Sequence, residues 1–97
     1  MKYEYFSNLV KKYHFEIGNR FRYDKLCSDN DEQIVGHDVY RGLLICKTIK
    51  YAEWQKEEYM NHDILEWAND IRRGRVHHWV QIDEHRNDIK QNKEDKK

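Results

Sequence analysis

The sequence predicts a mainly α fold: a small single domain of three to four helices, with room for a short β-hairpin (α+β) after the first. Three observations predict it. Residues 3–13 carry one helical apolar stripe, and residues 38–60 run long without a clear turn signal. Residues 61–74 have both a capping start and a glycine stop.

The first helix is read from "YEYFSNLVKKY". Phe6, Leu9, Val10 and Tyr13 recur at i, i+3, i+4 and i+7, while Ser7, Asn8, Lys11 and Lys12 turn outward. The period then changes. Phe15 and Ile17 alternate with His14 and Glu16, and Phe21 and Tyr23 with Arg20 and Arg22. Gly18-Asn19 between the two runs suits a tight turn, so residues 14–23 read as a hairpin. An irregular link between helices is the rival.

Residues 24–37 contain "SDNDEQ", whose short polar side chains compete for backbone hydrogen bonds and favour a loop. The acids faintly suggest a calcium loop. The glycine and the closing glutamate of that motif are missing, so a solvated loop is expected. Across 38–60, Val39, Leu43 and Cys46 follow helical spacing, while Leu43, Ile45, Ile49 and Tyr51 also alternate. Length favours helix over strand, with Gly42 costing an interior helix up to about 1 kcal/mol.

In "NHDILEWANDIRRG", Asn61 or Asp63 can cap. Ile64, Leu65, Ala68 and Ile71 form the expected buried stripe, with Trp67 at its edge. Arg72 and Arg73 meet the negative helix end, and Gly74 stands where a left-handed stop is usual. Val76, Trp79 and Val80 continue at helical spacing, although His78, Val80 and Ile82 alternate as a strand would. Residues 1–90 are expected to make one compact domain, and 91–97 a charged tail without order.

Composition narrows the function classes. Among 97 residues, 38% are hydrophobic and 13% aromatic, so the core is expected to rest on tyrosine, tryptophan and phenylalanine. Net charge is zero, but residues 1–25 and 71–97 each carry +3 and residues 26–70 carry −6. That segregation argues against a uniformly basic nucleic-acid binder or a uniformly acidic mimic, and favours steering toward a partner. No apolar run approaches the roughly 20 residues that span a bilayer, so no membrane contact is expected. The two cysteines, Cys27 and Cys46, are expected as free thiols in a reducing cytoplasm.

No cofactor and no metal is expected. His77-His78 cannot share a helix face, and His78 and His85 lie about 10.5 Å apart along a straight helix. A zinc site from Cys27, Cys46 and a distant histidine is the weak exception. Glu53 and Glu57, with Glu66 and Asp70, could face each other across two helices and hold magnesium. That arrangement would suit a nucleotide hydrolase, and it ranks third. Second is a small DNA-binding regulator using residues 72–86, where Arg72, Arg73, Arg75 and His78 flank Trp79. Asp83 and Glu84 would oppose a phosphate backbone there.

The leading expectation is a non-enzymatic protein that docks on a larger protein. Tyrosine, tryptophan and arginine most often carry interface energy, and this chain has seven, three and seven of them. Tyr51, Trp54 and Tyr59, with Tyr3 and Tyr40, are the aromatic candidates for contact. Arg72, Arg73, Arg75, His78 and Trp79 form the basic candidate rim. Small size and Lys/Asn-rich composition fit a phage or mobile-element accessory inhibitor or regulator of a host system.

Overall fold

The computed structural model describes residues 1–23, 31–73 and 79–89. Their order is α1 (Tyr3–Tyr13), β1 (Arg20–Tyr23), β2 (Asp31–Asp38), β3 (Leu43–Thr48), β4 (Tyr59–Asp63), α2 (Ile64–Arg73) and β5 (Trp79–Ile82). The strands form one sheet in the order β4-β3-β2-β1-β5, with every neighbouring pair antiparallel. The mainly helical expectation is therefore overturned: strand residues outnumber helical ones.

Cross-strand partners share a face of a pleated sheet. Phe21 opposes Glu32, Glu32 opposes Thr48, Ile34 opposes Cys46, and Leu44 opposes both His37 and His62. An extra residue between Ile34 and Gly36 makes a bulge that returns His37 to this same face. Phe6 and Tyr13 of α1 and Ile64, Trp67 and Ala68 of α2 pack there against Phe21, Ile34, Leu44 and Cys46. Phe15 joins them, with ring centroids 5.6 Å from Phe21 and 5.9 Å from Trp67. The core is aromatic, as the composition implies, and both helices cover one side of the sheet.

Helix α1 matches its expected span. It ends at His14, whose φ of 63° is left-handed, and the Phe15 N–H donates to Val10 O. Residues 14–23 turn where the Asn19 N–H donates to Glu16 O, but they do not pair as a hairpin. Asn19 Nδ2 donates to His14 O, the Gly18 N–H to Ile34 O, and the Ile34 N–H to Asn19 O. Gly18 and Asn19 thus pair with β2, and β1 lies between β2 and β5 instead of pairing with residues 14–17.

The long helix over 38–60 is absent. Gly42, at φ +71°, closes a turn by donating to Val39 O, and its Cα faces the Met1 side chain. The chain then runs as β3, a loop over 49–58, and β4. Asp31 and Glu32, expected in a solvated loop, begin β2 and are buried. Helix α2 lies where expected and is capped by Asp63, whose Oδ1 accepts the Leu65 N–H at 2.8 Å. Its buried stripe is Ile64, Trp67 and Ala68, so Trp67 is central and Leu65 exposed. Trp79–Ile82 is a strand, not the start of a fourth helix. Gly74 and the tail over 91–97 lie outside the described residues, as does the start of the polar loop at 24–30.

Candidate binding surface and a buried polar cluster

The sheet places two features on its two sides. The first is the loop over 49–58. Its base is closed where the Thr48 N–H donates to Glu58 O and the Ile49 N–H to Asp31 O. Inside it, Gln55 Oε1 accepts the Tyr51 and Ala52 N–H groups at 2.6 and 2.9 Å, and the Gln55 N–H returns to Ala52 O. Lys47 Nζ pairs with Glu57 at 3.1 Å. The loop is thus braced from within, and it holds Trp54 at 76% exposure; Tyr59, which opens β4, is 66% exposed.

Tyr51 anchors this loop to the sheet. Its hydroxyl donates to Asp31 Oδ2 at 2.7 Å, and Arg86 lies over its ring at 5.2 Å. Arg86 also grips Asp31 with Nε at 2.6 Å and a second nitrogen at 3.1 Å. Asp31 is fully buried by these partners. Burial pushes the Tyr51 hydroxyl up to about 12, with the hydrogen bond to Asp31 and the Asp31 charge adding to the effect. Arg86 takes a φ of 65°, uncommon for a side-chain-bearing residue. The turn beneath it is fixed by Asp83, whose Oδ1 accepts the His85 and Asn87 N–H groups at 2.8 Å. Those bonds hold the Asp83 carboxyl below its ordinary value.

The second feature lies on the helix side. Glu32 (β2), Cys46 (β3) and His62 (β4) bring their ligand-type atoms within 4.8 Å of one another. His62 Nε2 and Glu32 Oε1 are 2.7 Å apart. The His62 ring packs on Trp67 and Trp79, at centroid distances of 4.8 and 5.4 Å. Glu32 is 3% exposed and Cys46 fully buried. Burial, and then the Glu32 charge, push the Cys46 thiol up to about 12, which makes it a poor nucleophile.

The remaining sequence candidates separate. Arg72 and Arg73 are exposed at the end of α2, with Arg72 bonded to Asn69 at 2.7 Å. Arg75 and His78 lie outside the described residues. Trp79 stacks on Trp67 at 4.6 Å, so its ring is half-buried against α2 and is not a free partner for the arginines. A strand follows α2 at Trp79, which removes the helix-turn-helix geometry. Tyr3 and Tyr40 are exposed but lie near the N-terminal helix and the 39–42 turn, apart from Trp54 in sequence. Glu53 and Glu57 are on a loop, so their spacing does not set them on one helix face.

The Glu32–Cys46–His62 group escapes sequence reasoning because its members sit 14 and 16 residues apart, on three strands read as loop and helix. The available signal was the alternation of Leu44, Cys46 and Thr48 with Leu43, Ile45 and Lys47. No family model, curated protein or solved structure matches the chain. Among the described residues, no helix is long and apolar enough to cross a membrane.

Proposed function

We propose that this chain is a non-enzymatic binding protein that docks on a larger protein through the surface formed by Trp54, Tyr59 and the ring of Tyr51. The observation that carries the reading is Trp54, which is 76% exposed at the tip of a loop braced by its own hydrogen bonds. A large ring held in water by an ordered loop contributes little to folding. It is preorganised for a partner, which lowers the ordering cost of association. Tryptophan and tyrosine at such positions are the residue types that dominate interface energy. The nearby Lys47–Glu57 pair supplies a polar rim.

Photo-crosslinking from the surface tests this. A crosslinker at Lys56, beside Trp54, is expected to capture a discrete protein from nuclease-treated host lysate. The same group at Lys11, on the far helix, is expected to capture none. Replacing Trp54 and Tyr59 with alanine is expected to weaken binding of the captured protein by about thirtyfold or more, since a hot-spot ring is worth about 2 kcal/mol. Capture of nucleic acid alone, equal capture from Lys11, or binding indifferent to the two substitutions would overturn the proposal.

A further inference from the structure

We propose that Glu32, Cys46 and His62 form a binding site for a divalent transition-metal ion of the zinc class. The inference is independent of the docking surface, which lies on the other side of the sheet.

Three observations carry it. The first is the donor set. One carboxylate oxygen, one sulfur and one imidazole nitrogen lie within 4.8 Å of one another. A tetrahedral zinc ion holds such atoms at about 2.0–2.3 Å, so they close to roughly 3.3–3.7 Å from each other. The required movement is about an ångström, within the reach of side-chain rotation. Sulfur with imidazole selects a borderline or soft ion and disfavours calcium and magnesium, which seek oxygen.

The second is what the side chains do without an ion. Glu32 is 3% exposed, yet His62 is its only side-chain hydrogen-bond partner among the described residues, and it engages Oε1. The second carboxylate oxygen is therefore left without a donor, which is costly for a buried charge. The Cys46 thiol makes only a weak contact, 3.9 Å to Leu44 O. Both groups have coordinating capacity that the fold itself does not use.

The third is the frame. The three residues come from three adjacent strands whose register fixes their backbones: Ile34 faces Cys46, which sets Glu32 one same-face position away from it, and Leu44 faces His62, which sets Cys46 one same-face position away from His62. The His62 ring is clamped against Trp67 and Trp79. Trp67 in turn packs on Phe21 and Phe15. Rigid placement of ligands on strands is the arrangement that makes a site hold its geometry. The His62 side chain retains 19% exposure, so solvent reaches the group past it and water can fill the fourth position.

The binding step balances simply. The ion enters as a dication, the Cys46 thiol gives its proton to solvent, and sulfur binds as thiolate. The proton between His62 Nε2 and Glu32 Oε1 leaves through solvent, which returns one to Nδ1 where the ring is neutral, so that Nε2 offers a lone pair and the Glu32 carboxylate an oxygen to the ion.

Cobalt(II) titration of the reduced, full-length chain reads this directly. The expected result is one equivalent bound, with a near-ultraviolet thiolate-to-cobalt band and visible absorption of tetrahedral intensity, both erased by added zinc. The band is expected to persist in Cys27→Ser and to vanish in Cys46→Ser, with circular dichroism checking that each variant is folded. Should Cys46→Ser fail to fold, thermal melting decides the matter: zinc is expected to raise the midpoint of the parent and of Cys27→Ser, but not of Glu32→Gln. No thiolate band in the parent, a band that survives Cys46→Ser, or an equal zinc-induced rise in Glu32→Gln would overturn the proposal.

Discussion

Single residues set the two nodes of this molecule, and each has a measurable signature. Asp31 is fully buried and joins Tyr51 of the loop to Arg86 of the last turn. Removing its carboxylate takes away the acceptor of the Tyr51 hydroxyl and the paired contact to Arg86, so Asp31→Ala is expected to cost about 2–3 kcal/mol in urea denaturation. Arg86→Ala keeps the left-handed backbone and takes the guanidinium from the buried Asp31 carboxylate, so it is expected to cost a comparable amount. Cys46 gives a pH signature. Its folded thiol holds its proton up to about 12, against an ordinary value of 9.0, because of burial and Glu32. The folded state binds that proton more tightly, so the stability it contributes is complete below pH 9 and lost as pH rises toward 12. The denaturation midpoint of the parent is therefore expected to fall between about pH 8 and about pH 10.5, and to fall less in Cys46→Ala. Tyr51 acts in the same sense over pH 10 to 12, and Tyr51→Phe isolates its share.

At the scale of elements, α1 and α2 were legible and most of the sheet was not. Both helices carry local signals: a period of 3.6, the Asp63 cap, and arginines at the end of α2. The strands depend on partners far along the chain. Asp31 and Glu32 read as loop residues because their neighbours are polar. They are strand residues because Arg86 and His62, 55 and 30 positions away, compensate their burial. Residues 38–60 are long enough for a helix in which Gly42 would be only a local cost. In the structure it is a turn, at a φ that other residues resist. Gly42→Ala is expected to destabilise by about 1–2 kcal/mol, both from that φ and from contact with Met1, as read by thermal melting. Helical spacing puts Trp67 at the edge of the α2 stripe, yet it lies under both Trp79 and the Phe15–Phe21 pair. Trp67→Ala is expected to cost about 3–5 kcal/mol. It should cost more than Leu65→Ala, on the exposed face of the same helix.

For the whole molecule, the sheet divides the labour. One side is closed by two helices over an aromatic core that includes the Glu32–Cys46–His62 group. The other side carries the Asp31 node and, beyond it, the loop that holds Trp54 in water. The exposed aromatics at 51, 54 and 59 were legible from residue type alone. Their setting was not, because it depends on a loop between β3 and β4 in place of a helix. Everything proposed for either side rests on residues 31–63 forming three antiparallel strands in the stated register. Nuclear Overhauser spectroscopy of the labelled chain tests this most directly. The account predicts cross-strand contacts linking Ile34 with Cys46 and Leu44 with His62. Sequential α-to-β contacts three residues apart across 38–60, the mark of a continuous helix, would contradict it.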